Sequence, residues 1–115
     1  MSNLTTHVLD TSQGKPAEGM KVQLFKIEDK KSVQLAEVIT NKDGRVDQKL
    51  LKSENNIGIY ELRFFAGDYF NKENLKLTKI KFLDEITIRF GISDDTHYHV
   101  PLLISPYGYS TYRGS

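Results

Sequence analysis

No cysteine occurs among the 115 residues, which removes disulfide scaffolds, thiolate nucleophiles and Cys-based zinc sites together. Long apolar runs are missing as well. Nothing approaches the roughly 18 consecutive apolar residues of a membrane-spanning helix, and the opening MSNLTTHVLD lacks the basic region and apolar run of a secretory signal. No membrane partner is expected, and the location expected is cytoplasmic. Charge of one sign is not in excess: sixteen Lys and Arg against fifteen Asp and Glu leave a net charge of +1, with no block of like charge. That distribution is unlike a nucleic-acid footprint, so the partner expected is a small molecule or another protein. The GxSxG elbow and the phosphate-binding glycine loops are absent, which leaves serine-hydrolase and nucleotide chemistry without support.

What is present is two-residue alternation, with Val, Ile, Phe and Tyr runs cut by Gly, Pro, Asn and Asp clusters, the pattern of an all-β domain. Strands are expected near 4–10, 20–28, 33–40, 45–50, 57–66, 85–92, 96–104 and 107–113. The length suits one domain, residues 1–115, with one core. Asp43-Gly44 signals a hairpin that would place Arg45 at its mouth. Asp68 is placed to cap a short helix running through Leu75. In EITIRF, Ile86, Ile88 and Phe90 share one side and Thr87 and Arg89 the other, so that strand has one core face.

Only three histidines occur, His7, His97 and His99, each in or beside an expected strand. His7 shares a face with Thr5 and Leu9; His97 and His99 share a face, roughly 6.6 Å apart along the strand. One reading is a zinc site using His97 and His99, although an i, i+2 pair is a pattern that chance often produces. Another is acid–base chemistry, with a neutral imidazole taking a proton from water and an arginine fork holding a carbonyl or anion. Arg45, Arg63, Arg89 and Arg113 are the candidates for the fork. Against both stands the ordinary role of such residues, a satisfied histidine in a strand and a solvated arginine. Tyr107, Tyr109 and Tyr112 could stack on a planar ligand or simply occupy sheet positions that favour aromatics.

Two stretches carry a resemblance. HVLDTSQGKPAEGMKV (residues 7–22) is similar to the N-terminal signature of the transthyretin family, and YHVPLLISPYGYSTYRGS (residues 98–115) to its C-terminal signature. The closing Tyr112-Arg113-Gly114-Ser115 resembles the mark of that family's 5-hydroxyisourate hydrolase branch.

The resemblance implies a prealbumin-like Greek-key β-sandwich of two four-stranded sheets with one short helix. It also implies a homotetramer built as a dimer of dimers, with sites in the cleft between dimers and neither metal nor cofactor. The implied activity is hydrolysis of 5-hydroxyisourate to 2-oxo-4-hydroxy-4-carboxy-5-ureidoimidazoline in urate catabolism. Matched onto the family's motifs, His7, Arg45, His99 and Ser115 would be catalytic. His7, Arg45, Tyr112, Arg113 and Gly114 would bind substrate. The hydroxyl and α-carboxylate of Ser115 would both be available to orient a histidine or water. His97 matches no essential position. Ile104 stands where many relatives have Leu, a swap of similar volume that should cost little. The alternative is a carrier that holds a small aromatic ligand without turnover, against which the two histidines and the arginine weigh, since a site for a mostly apolar ligand would be lined by apolar residues.

Overall fold

The computed structural model describes residues 3–114. Its strands are β1 (Leu4–Thr5), β2 (Val8–Asp10), β3 (Lys15–Pro16), β4 (Lys21–Glu28), β5 (Lys31–Ile39) and β6 (Gly58–Phe65). Helix α1 (Ala66–Lys72) follows, and then β7 (Glu85–Ile92), β8 (Tyr98–His99), β9 (Leu102–Ser105) and β10 (Gly108–Thr111). One four-stranded sheet has the order β10-β9-β2-β3 and the other β5-β4-β6-β7, with β1 and β8 forming a short parallel pair beside them. The fold is thus the expected sandwich of two four-stranded sheets with one short helix.

The β1–β8 and β2–β9 pairs share one register, Leu4 opposite Tyr98 and Val8 opposite Leu102. They are two pieces of a single parallel ladder that ties the beginning of the chain to its end. The ladder is interrupted at Pro101, which has no N–H to donate. Around the interruption the amide of Val100 donates to the Thr5 carbonyl and that of Leu102 to the His7 carbonyl, both at 2.9 Å. The expected strands 4–10 and 96–104 are therefore each split in two.

Residues 45–50, expected as a strand, are not one. Only Leu50 there is fully buried and the exposure does not alternate; the single pairing is an isolated bridge from Arg45 to His7. Gly44 does adopt the positive φ of a tight turn, +73°, and a Cβ on it would collide with the Val8 carbonyl. The turn is closed by Asn41, whose Oδ1 accepts from the amides of Asp43 (2.9 Å) and Arg45 (3.1 Å). Instead of joining two strands, this turn swings Arg45 across to the first strand.

The helix also departs from expectation. It begins at Ala66 after an N-cap Phe65 with no side-chain cap, and Asp68 lies inside its first turn, where a negative charge favours the helix dipole. It stops at Lys72, three residues before Leu75, and Asn74 turns the chain away at φ 57°.

The core lies between the sheets. Val8, Leu102 and Ile104 come from one, Val22, Leu24, Leu62, Phe64 and Ile86 from the other, with Tyr69 and Phe70 of α1 closing one end. Ile86 and Ile88 are buried and Phe90 half-buried, whereas Thr87 and Arg89 face out, as alternation requires.

One carboxylate is fully buried at the edge of this core. Asp10 accepts from the Ser12 amide and hydroxyl, the Gln13 amide and side chain, and the Tyr69 hydroxyl, at 2.6–3.2 Å. Burial pushes its pKa up, but the hydrogen bonds from Ser12, Gln13 and Tyr69 outweigh it and hold the group below the usual carboxylate value. Asp10→Ala leaves several donors without a partner and should cost about 3 kcal/mol in urea unfolding. Because the folded pKa lies below the unfolded one, this contribution is complete above pH ~3.9 and lost as acid protonates the folded carboxylate. Acid titration of wild type against Asp10→Ala checks it: the gap between the two should close below that pH.

Candidate active site

His7 occupies the break between β1 and β2, and His99 ends β8 on the neighbouring strand, so parallel pairing puts two imidazoles from opposite ends of the chain side by side. Nδ1 of His7 lies 2.8 Å from Nε2 of His99. The ring centroids are 5.0 Å apart with planes 20° from parallel. His99 is engaged at both nitrogens, since its Nδ1 lies 2.7 Å from the Thr5 hydroxyl. The same hydroxyl lies 2.9 Å from Nε2 of His97. His7 is left with Nε2 as the one ring nitrogen of the pair that no described residue engages.

Arg45 reaches this pair from the turn described above. Its backbone bridges His7, and the amide of Val8 donates to the Gly44 carbonyl at 2.9 Å, which pins the loop against β2. The guanidinium is itself exposed. Burial lowers the pKa of both imidazoles, and the Arg45 charge lowers them further; for His99 the charges on His7 and His97 act in the same direction. Both rings are therefore neutral at pH 7, beside a fixed positive charge.

Gly114 completes the wall. Its amide donates to the His99 carbonyl at 2.7 Å, and a Cβ here would lie 2.6 Å from Cδ2 of His99. Only glycine lets the backbone at 114 lie this close to that ring.

The other residues expected at the site divide. Arg113 points elsewhere within the chain: it donates to the Thr96 hydroxyl (2.9 Å) and the His97 carbonyl (3.2 Å) and lies over the Tyr98 ring. Tyr112 and Arg113 line a groove with Ile88, Phe90 and Tyr98, on the opposite side of β8 from His99. Arg63 and Arg89 are held by Glu61 on the outward face of the other sheet, at 3.0 and 2.7 Å. Ser115 lies outside the described residues.

Thr5 had no assigned part in the chemistry, and His97 only that of a zinc ligand in one reading. The signal for them was faint but present, since period-two alternation puts Thr5 on the face of His7, and His97 on the face of His99. Among the described residues no group of His, Asp and Glu is gathered in a way that could hold a metal ion. None of their helices is long and apolar enough to cross a membrane.

The arrangement is one that can bind a planar, carbonyl-rich molecule through an arginine fork and offer it a neutral imidazole nitrogen. The chain is 55% identical over 113 residues to a 5-hydroxyisourate hydrolase of Mesorhizobium japonicum, covering 97% of this chain and 91% of that protein. It is 51% identical to another from Pseudomonas aeruginosa, covering 100% and 93%. Among solved structures it is similar to the Klebsiella pneumoniae 5-hydroxyisourate hydrolase, with TM-score 0.82, 38% identity and both chains covered in full. It also matches an (S)-allantoin synthase with TM-score 0.92 and 44% identity, covering 99% of this chain but only 44% of that longer one. Sea bream transthyretin, at 22% identity and TM-score 0.86, shares the fold. The model of the HIUase/Transthyretin family matches residues 4–114, and with identities of about half over the whole length the chain belongs to that family.

Proposed function

We propose that this chain hydrolyses 5-hydroxyisourate, opening its six-membered ring to 2-oxo-4-hydroxy-4-carboxy-5-ureidoimidazoline. The observation that carries the reading is the meeting of His7, His99 and Arg45, in a chain similar over its full length to relatives named for that activity.

Arg45 grips the carbonyls of the planar substrate by paired hydrogen bonds and steadies the negative charge that develops on oxygen as water adds. His7 is the base. No described residue engages its Nε2, whereas both nitrogens of His99 are occupied, which supports contact of His7 with the attacking water and of His99 with His7. Water loses a proton to Nε2 of His7 as its oxygen bonds to the ring carbonyl carbon. The same nitrogen then returns a proton to the departing ring nitrogen as the C–N bond breaks. His7 and Arg45 bind substrate in this scheme and Gly114 walls the site beside His99, whereas Tyr112 and Arg113 keep to the groove on the other side of β8. Residues 1–115 act as one domain and assemble as a dimer of dimers, with Ser115 taking part in catalysis.

The test is the decay of freshly made 5-hydroxyisourate followed by ultraviolet absorbance. Purified protein should accelerate it well beyond the spontaneous rate. An unchanged rate, together with tight binding of an aromatic hormone-like ligand, would replace the hydrolase with a carrier built on the same sandwich.

A further inference from the structure

Hydrogen bonding does not stop at the catalytic pair. His7, His99, Thr5 and His97 form one chain of contacts, Nδ1 of His7 to Nε2 of His99 (2.8 Å), Nδ1 of His99 to Oγ1 of Thr5 (2.7 Å), and Oγ1 of Thr5 to Nε2 of His97 (2.9 Å). The first three members are half-buried and the fourth is exposed. Each link is short enough for a direct hydrogen bond and holds one proton. A hydroxyl donates only once, so Thr5 gives its proton to one imidazole and accepts from the other. The four groups thus have two self-consistent arrangements. In one, His7 donates to His99, His99 to Thr5, and Thr5 to His97, which leaves a lone pair on Nε2 of His7. In the other every donor is reversed, and Nε2 of His7 carries a proton.

We propose that Thr5 and His97 extend the His7–His99 pair into a proton relay that ends at solvent. Resting on the hydrolase reading above, it addresses a difficulty in that reading. A proton stored on the His7–His99 pair would sit beside the Arg45 guanidinium, in a site already partly withdrawn from water. The relay removes the need to store it. As Nε2 of His7 takes a proton from water, the Nδ1 proton of His7 passes to Nε2 of His99. The Nδ1 proton of His99 passes to Thr5, the Thr5 proton to Nε2 of His97, and the Nδ1 proton of His97 to solvent. When His7 returns its proton to the departing ring nitrogen, each transfer runs backwards and solvent gives one proton back. All four groups end as they began, water has added across the C–N bond, and no electron has left the system.

Two features of the fold hold the outer half of this relay. Thr5 and His99 are direct partners in the parallel β1–β8 register, which fixes the hydroxyl under the ring. Arg113 donates to the carbonyl of His97 and to Thr96, bracing the exposed end. Thr5 and His97 are positioning residues here, acting on the reaction through His99.

Steady-state hydrolysis by wild type, Thr5→Val, Thr5→Ser, His97→Gln and the Thr5→Val/His97→Gln double variant tests this, with circular dichroism as the folding control. Thr5→Val should lower kcat about tenfold or more while KM moves less than about twofold, because a proton-transfer step and not binding is lost. Thr5→Ser keeps a hydroxyl and should restore most of the rate. Added imidazole should speed Thr5→Val and His97→Gln but not wild type, by accepting the stranded proton. The double variant should be no slower than Thr5→Val alone, since both cut one wire. A Thr5→Val enzyme as fast as wild type would overturn the proposal, as would a slow one that neither imidazole nor serine repairs.

If wild type leaves the substrate's decay unchanged, the hydrolase reading fails and the relay is judged separately by ¹⁵N NMR of the imidazole nitrogens. The relay requires that His97→Gln alter the tautomer balance of His99 through Thr5, and that Thr5→Val abolish that response. Independent behaviour of His97 and His99 in wild type would refute it.

Discussion

Arg45→Ala should lower kcat/KM for 5-hydroxyisourate by about 10²–10³, the usual loss when a donor to a developing oxyanion is removed. The fold should survive, because the guanidinium is exposed and the loop is held by backbone groups and Asn41, which alanine at 45 leaves in place. Arg45→Lys should recover little, since an ammonium is a point charge and cannot present the two parallel donors of the fork. A second readout separates electrostatics from simple disruption. The Arg45 charge lowers the pKa of both histidines, so its removal should move the acid limb of the residual activity to higher pH, toward the ordinary imidazole value of about 6.5. Retention of full activity by Arg45→Ala, with the limb unmoved, would remove Arg45 from the site.

His7→Asn should be at least as damaging, with kcat reduced by about 10²–10⁴. Asparagine can still hydrogen-bond to His99 but takes up no proton at neutral pH. In wild type the rate should be level through neutrality and fall on the acid side at a pH below about 6.5, because burial and then Arg45 depress the pair. The apparent value belongs to the coupled histidines, not to either one. Stability should follow the same direction. The unfolded chain protonates these imidazoles near pH 6.5 and the folded chain only below it, so stability drops as pH falls through that interval. His7→Asn should weaken this dependence while leaving stability at pH 7 nearly unchanged. A rate within tenfold of wild type would mean that His7 is not the base.

These outcomes depend on neighbours that no local pattern could reveal. The alternation in EITIRF was enough to assign the buried face of β7, because a strand with one side in the core repeats every two residues whatever lies across from it. The positive φ of Gly44 was likewise legible from Asp43-Gly44, since turn chemistry is local. What followed the turn was not. A hairpin and a loop that delivers Arg45 to a distant strand share the same dipeptide, and only the bridge to His7 separates them. The split of the expected strands 4–10 and 96–104 was half legible, as Pro101 cannot donate to a ladder, but its effect on the facing strand requires knowing the parallel register.

Composition and motifs by themselves determined a β-rich chain without cysteine, membrane helix or nucleotide loop, and the signatures at its two ends determined the family. Tertiary structure decided which side chains work together. His7 and His99 are 92 positions apart, and their contact exists because β1 and β8 pair in parallel, a choice set by long-range packing. The same pairing put Thr5 between His97 and His99, so that a histidine matching no essential position became the exposed end of a hydrogen-bonded chain. It also parted Arg113 from the residues beside which it is written. Successive strand residues face opposite ways, so Arg113 packs on Tyr98 while Gly114 lies against His99.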